Sequence, residues 1–133
     1  MLRIVIEPAW REIDGHIVWP LPSQLPLVIA ESRALLQTFL NLAQNSHRAV
    51  QGNEERELRI STELQSKTLT VRFHDSGPGV KSPEHLFRPF QSGASGSGMG
   101  LYVSRFIVRS YGGELRYEPT AAGACFAVEL ETA

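Results

Sequence analysis

The chain has 133 residues, a formal net charge of −1 and 42% hydrophobic residues. That is the size of one domain with room for a core, and it lacks the basic balance that points to nucleic acid or an anionic membrane surface. The single cysteine, Cys125, lies in the apolar run Ala124–Val128. It excludes an internal disulfide framework and a cysteine-based zinc site, and reads as a small buried hydrophobe in a reducing, cytoplasmic setting.

No apolar run approaches the roughly 20 residues that span a bilayer. Met1-Leu2-Arg3-Ile4 does not open a signal peptide, so no membrane contact is expected of this domain. In chain order, Leu2–Ile6 reads as a short strand stopping at Glu7-Pro8. Asp14-Gly15 reads as a tight hairpin turn between Trp10–Ile13 and His16–Trp19. Pro20, Pro22 and Pro26 make the next stretch irregular, and Leu27–Ala30 reads as a buried strand. From Glu31 to Val50 the period is helical, with Leu36, Phe39, Leu40, Ala43 and Val50 on one apolar stripe and Gly52-Asn53 as the stop. Glu57–Leu64 and Thr68–Phe73 alternate on either side of Gln65-Ser66-Lys67, as an antiparallel pair does. Residues 74–100 are rich in Gly, Pro and Ser. Leu101–Tyr111 is helical again, with Leu101, Val103, Phe106, Ile107 and Ser110 to accommodate and Gly112-Gly113 as its stop. Glu114–Glu118 and Ala124–Leu130 form the last strands. The pattern predicts a single α+β two-layer sandwich over residues 1–133. Its sheet is mixed and mostly antiparallel, with helices on one face and a long loop between strand and helix.

Three segments carry chemistry. Gln37-x-x-x-Asn41-Leu42-x-x-Asn45 places three amides on one helix face. Asparagine competes for backbone hydrogen bonds and is a poor helix-interior residue, so the row is either a solvated face or the lining of a pocket. An amide oxygen there can complete the octahedral shell of Mg²⁺ alongside phosphate oxygens and water. Asp75-Ser76-Gly77-Pro78-Gly79 follows a strand directly. It is either a surface turn or a site where Asp75 accepts a hydrogen bond from the exocyclic amine of a base, with Gly77 and Gly79 letting the backbone approach the ring. Gly96-Ser97-Gly98-Met99-Gly100-Leu101 opens a helix, as a flexible linker or as an anion site built from backbone N–H groups and the helix dipole. It is neither a Rossmann loop, since Leu101 and Val103 stand where the third glycine belongs, nor a Walker-A loop, since Met99 stands where lysine is required.

Together, and in this order, the three segments resemble the ATP-binding domain shared by histidine kinases, type II topoisomerases, Hsp90 chaperones and mismatch-repair ATPases, the GHKL superfamily with the Bergerat fold. The histidine-kinase branch is the most similar. Leu86-Phe87-Arg88-Pro89-Phe90 resembles its F box, and Arg105-x-Ile107-Val108-x-x-Tyr111-Gly112-Gly113 resembles its usual continuation. The resemblance spans nearly the whole chain and is weakest over residues 1–26. It implies ATP and Mg²⁺ as ligands, with Asn45 on the metal and Asn41 and Arg48 beside the phosphates. It further implies that Asp75 holds adenine with Gly77, Gly79 and Val80 around it, and that Gly98, Met99, Gly100 and Leu101 form the phosphate end of an ATP lid.

One position separates kinase from hydrolase chemistry within that superfamily. Its ATPases carry a glutamate one helical turn before the metal-binding asparagine, and Asn41 stands there in this chain. An amide is no general base, which favours phosphotransfer to a nucleophile on another domain over hydrolysis. The acceptor of the family is a histidine on a helical dimerisation domain. His16, His47, His74 and His85 all lie within the ATP-binding region, so the chain is expected to bind ATP without phosphorylating itself. The implied partners are that histidine-containing domain and, indirectly, a response regulator, in a cytoplasmic two-component pathway. Three positions depart from the family pattern. Ala124 stands where a serine or threonine often supports the adenine-binding aspartate, Gln91-Ser92-Gly93 replaces a segment that commonly bears a lysine, and Arg88 replaces an acidic residue. Arg48, Arg88 and Lys81 are the cations available to compensate. The lid, residues 81–97, is expected to be mobile without nucleotide. Two other readings share the fold: a stand-alone serine kinase or ATPase, and an interaction module that has lost the nucleotide.

Overall fold

Leu2, Ile6, Trp10 and Ile13 recur at spacings of four, four and three, which is the period of a helix. In the computed structural model, which describes residues 2–22, 24–88 and 100–133, Leu2, Ile6 and Trp10 line the inner face of helix α1, Leu2–Glu12, and Ile13 packs on the core just past its end. Ile6 and Trp10 are buried, while Ile4 and Val5 face solvent. The strand expected over Leu2–Ile6 is therefore a helix. Its β-branched residues favour a strand only weakly, and burial of one stripe overrides that preference. Pro8 sits inside the helix, where it forfeits one backbone hydrogen bond.

The expected hairpin at Asp14-Gly15 is also corrected, because this pair ends α1. Asp14 adopts a left-handed φ of 55°, and Gly15 N–H donates to Trp10 C=O at 2.8 Å, satisfying a carbonyl that the helix end leaves free. The chain then enters β1, His16–Val18, which pairs in parallel with β2. The buried strand expected over Leu27–Ala30 reduces to a single bridge between Val28 and Thr132. Val28 packs on the core, whereas Leu27 and Ile29 point outward.

The remaining elements follow the sequence closely. Helix α2 covers Ser32–Val50 and is capped by the Glu31 carboxylate, which accepts from Ala34 N–H at 2.7 Å. Strands β2 (Glu57–Gln65) and β3 (Thr68–Asp75) form a hairpin. A short 3₁₀ turn spans Pro83–His85, and α3 spans Gly100–Ser110. Strands β4 (Glu114–Glu118) and β5 (Ala124–Glu131) close the chain. The sheet has five strands in the order β1-β2-β3-β5-β4, with only the first pair parallel, so the mixed, mostly antiparallel expectation holds.

Register decides which face is which. Leu58, Ile60, Val71, Phe73, Phe126, Val128 and Leu115 alternate onto the side covered by the helices and are buried there. Phe39 of α2 packs on Phe73 with ring centroids 5.5 Å apart. The buried face of α2 is rotated from the expected stripe. Thr38, Leu42, Ala43, Ser46 and Val50 are buried, whereas Leu36 is only half-buried. Likewise α3 buries Ser104 and Val108 and exposes Val103 and Phe106. The open face of the sheet carries a lattice in which Arg72 pairs with Glu63 at 2.7 Å and Glu118 at 2.8 Å, and Arg116 pairs with Glu118 at 2.8 Å and Glu129 at 3.1 Å. Cys125 lies beneath it, buried as expected, its thiol pushed up to about 11 chiefly by that burial.

Trp10 pins α1 to α2 by an edge contact with the His47 ring, centroids 5.6 Å apart. Trp10→Ala is expected to cost about 3–5 kcal/mol, measured as a shift of the urea unfolding midpoint.

Candidate nucleotide-binding site

Asn41, Asn45 and Ala49 are four residues apart and so lie in one row along α2, about 12 Å from end to end. Each end of the row touches a different neighbour. At one end Asn41 Nδ2 donates to Ser104 Oγ of α3 at 3.1 Å. At the other, the position of a Cβ on Gly77 would lie 3.1 Å from Ala49 C=O, so the loop after β3 rests directly on the helix. Asn45, half-buried between them, has no hydrogen-bond partner for its amide among the described residues. Arg48, one turn further along the same side, is exposed.

Asp75 ends β3 with its side chain on the helix-covered face and is 3% exposed. Its Oδ1 accepts from Gly77 N–H at 2.9 Å and from Ala124 N–H at 3.3 Å. Burial pushes its carboxyl above the ordinary range, and these two backbone donors oppose that rise without cancelling it. Gly79 takes a left-handed φ of 88°, whereas Gly77 does not. What Gly77 needs is space, since a Cβ there would sit 3.0 Å from Asp75 Oδ1. Val80 packs against the core, as does Leu101 in the first turn of α3. Gly100 begins that helix. Gly98, Met99 and the lid residues 89–97, including Pro89 and Phe90 of the F box, lie outside the described residues.

The structure thus brings together Asn41, Asn45, Asp75, Gly77 and the first turn of α3 around one side of α2. Asn41 is more constrained than the sequence suggested. Its Oδ1 accepts from Gln37 Nε2 at 3.1 Å while its Nδ2 serves Ser104, which leaves one amide hydrogen for a ligand. Arg88 lies 3.3 Å from His85, while Lys81 is exposed. Among the four histidines, His16 pairs with Glu57 at 2.9 Å, His47 with Ala9 C=O at 3.0 Å, His74 with Ala122 C=O at 2.9 Å and His85 with Glu84 at 3.6 Å.

Two buried polar positions escaped the sequence reading. Ser104 and Ser46 are fully buried, and each falls in phase with the apolar stripe of its helix. That phase is the signal that sets them apart from solvent-facing serines. Ser104 holds Asn41, so Ser104→Ala is expected to leave a half-buried amide donor short of a partner. The cost is about 1–3 kcal/mol in thermal unfolding.

The donors fit Mg-nucleotide better than a metal alone. Among the described residues no three His, Cys, Asp or Glu side chains converge, so a cation beside Asn45 would be held by an amide oxygen and by a ligand's own phosphates. The Ser46 hydroxyl is buried on α2 and favours the charged form of Asp75. A separate hollow of about 440 Å³, lined by Phe87, Tyr102, Arg105, Phe106, Arg109 and Ser110, lies on the other side of α3 and includes none of these groups.

Comparison with known proteins shows the family. A family model described as histidine kinase-, DNA gyrase B-, and HSP90-like ATPase matches residues 30–133. The C4-dicarboxylate transport sensor protein DctB of Rhizobium meliloti is 35% identical over 74% of this chain and 16% of its own length. The adaptive-response sensory kinase SasA of Synechococcus sp. is 34% identical over 91% of this chain and 34% of its own. The sensory histidine kinase/phosphatase NtrB of Rhizobium leguminosarum bv. phaseoli is 32% identical over 78% of this chain and 32% of its own. The chain therefore spans about a third or less of the length of these curated relatives. Among solved structures, the catalytic domain of histidine kinase ThkA superposes with a TM-score of 0.87 at 25% identity, covering 98% of this chain and 89% of that one. With its order of polar row, aspartate loop and helix start, and with residues 30–133 matched throughout, the chain belongs to the histidine kinase-, DNA gyrase B-, and HSP90-like ATPase family, on the branch of the sensor histidine kinases.

Proposed function

We propose that this domain binds Mg-ATP between α2, the Asp75 loop and the start of α3, and presents the γ-phosphoryl group to a histidine on a dimerisation domain. The observation that carries this reading is the free amide of Asn45 midway between the contacts of Asn41 with α3 and of Ala49 with the Asp75 loop. Bound Mg-ATP supplies the phosphoryl group and neutralises charge on its own oxygens. Asn45 donates its amide oxygen to the cation, and Arg48 adds positive charge on the same helix face. Asp75 accepts a hydrogen bond from the base, and Val80 and Leu101 give it an apolar boundary. Gly100 begins α3, whose first-turn backbone N–H groups suit phosphate, and the family resemblance assigns Gly98 and Met99, outside the described residues, to the same phosphates.

Asn41 supports transfer over hydrolysis. Its amide cannot abstract a proton from water, and hydrogen bonds to Gln37 and Ser104 fix its orientation. The parent's partners, on this reading, are a histidine-bearing dimerisation domain and, through it, a response regulator. A solved complex of histidine kinase ThkA with response regulator protein TrrA superposes on the fold with a TM-score of 0.81 at 22% identity. The reading places this domain in the cytoplasm. No helix among the described residues is long and apolar enough to cross a membrane.

The test is phosphotransfer with a dimerisation domain supplied in the same polypeptide or in trans. The expected product is acid-labile, alkali-stable phosphate on that domain, dependent on Mg²⁺ and abolished by Asn45→Ala. Acid-stable phosphate on a hydroxyl, or ATP turnover by the domain alone, would favour a serine kinase or ATPase instead.

A further inference from the structure

The chain leaves the sheet at Ser76, between Asp75 and Gly77. The β2–β3 ladder runs up to the pair Leu58–Asp75, and Ser76 N–H still donates to Glu57 C=O at 3.0 Å. The return bond is made differently. Glu57 N–H donates to the Ser76 hydroxyl at 2.8 Å, in the place a ladder carbonyl would take, and that hydroxyl donates to Glu55 C=O at 2.9 Å. The Ser76 carbonyl is thereby released, and Asn53 Nδ2 donates to it at 2.7 Å. Arg56 holds Asn53 in turn. Its Nε donates to Asn53 C=O at 2.9 Å, and a second guanidinium N–H donates to Ile13 C=O just past α1. The Arg56 carbonyl accepts from His16 N–H at 2.9 Å, at the start of β1. These bonds form a continuous chain from the end of α1 to the loop after β3.

We propose that Asn53 and Arg56 are positioning residues for nucleotide binding, which set the loop after β3 against α2 from the end of α1. The proposal rests on the nucleotide-binding reading above. Gly77 has little room to adjust by itself, since a Cβ there would lie 3.1 Å from Ala49 C=O. The height of the loop over α2 is therefore decided by what holds its other side. Past the end of the ladder, that side is held by Asn53 and the Ser76 hydroxyl. Asn53 and Arg56 are both half-buried, where hydrogen bonds are stronger than in open water, and those of the guanidinium are charge-assisted. A guanidinium is a rigid fork. Because this one spans carbonyls of two separate segments, Ile13 and Asn53, a shift of α1 carries the loop with it. Neither residue belongs to the amide row or to the loop, so each acts through Ser76.

The experiment is calorimetric titration of the whole chain with the Mg²⁺ complex of the non-hydrolysable analogue AMPPNP, at a temperature where every variant is fully folded. Asn53→Ala and Arg56→Gln are each expected to weaken binding about fivefold to tenfold. The two losses should not multiply in the double variant, because both break one chain. Arg59→Gln is the charge control. It removes a cation from an exposed position of β2 and should leave affinity unchanged. Hydrogen exchange separates positioning from stability. Gly77 N–H, which donates to Asp75 Oδ1, should be accelerated in both variants by more than the amides of β5. A merely structural role would lower the melting temperature and leave the affinity of the folded protein unchanged, and that result would overturn the proposal. So would losses that multiply, or a loss in Arg59→Gln equal to that in Arg56→Gln. Should Arg56→Gln fail to fold, Asn53→Ala and its Gly77 exchange decide alone. Failure of wild type to bind AMPPNP would overturn the nucleotide reading itself, and this assignment with it.

Discussion

Replacing Asp75 with asparagine is expected to raise the melting temperature at neutral pH while weakening adenine-nucleotide binding about tenfold to a hundredfold. The two effects share one cause. Asp75 is 3% exposed, and burial raises its carboxyl above the ordinary 3.8. The folded protein therefore holds that proton more tightly than the unfolded chain does. As pH rises from the ordinary value through the raised one, the unfolded state binds fewer protons and stability declines, and above that window the full penalty persists. Asparagine keeps the oxygen that accepts from Gly77 and Ala124 N–H and carries no charge, so it escapes the penalty. It also turns an N–H₂ group toward the base, where an acceptor is needed. Thermal unfolding of both proteins between pH 4 and 8, a range set by ordinary carboxyl values at about 4, should show the gap widening in favour of the variant as pH rises. A constant gap would mean that the buried charge is not the cause.

The second large effect is expected at Gly123. Its φ is +72°, and a Cβ there would lie 1.8 Å from the backbone oxygen of Asp75. Gly123→Val combines left-handed strain with overlap that only a shift of the β3–β5 ladder relieves. The sum is about 2–5 kcal/mol. The same shift withdraws Ala124 N–H from the Asp75 carboxylate, so nucleotide affinity should fall with stability. Gly52→Val is the control, since nothing lies within 4 Å of its Cβ position and its φ is not positive. It should change stability by no more than about 0.5 kcal/mol. Urea unfolding of the two variants beside wild type measures the contrast, and equal stabilities would contradict the crowding seen at Gly123.

Much of this was legible because single segments carried their own signal. The alternation of Glu57–Leu64 and the helical period from Glu31 to Val50 each specify an element without reference to distant residues, and both appear within a residue or two of their expected ends. The N-terminus was misread because two local signals competed. Leu2-Arg3-Ile4-Val5-Ile6 has strand-like side chains, and Pro8 discourages a helix. The buried row Leu2, Ile6, Trp10 and Ile13 outweighs both, but only because α2 is there to cover it. Leu27–Ala30 failed for the complementary reason. Its hydrophobicity is real, yet only Val28 finds the core.

At the site, the amide row and the Asp75 loop could be read from residue type and spacing. The precise use of those amides could not. That Asn41 is bound to Ser104, and that the turn holding Ser46 faces Asp75, depend on how α2 lies against α3 and β3. No spacing within either helix encodes that placement.

The most direct measurement uses Mn²⁺ in place of Mg²⁺ with AMPPNP, because the paramagnetic ion broadens nearby amide signals in a nitrogen–proton correlation spectrum. The account predicts nucleotide-dependent broadening centred on the α2 turn bearing Asn45 and the first turn of α3, with Arg72 and Arg116 on the open face of the sheet unaffected. Broadening centred instead on the hollow between Phe87 and Phe106, or none that depends on nucleotide, would contradict it.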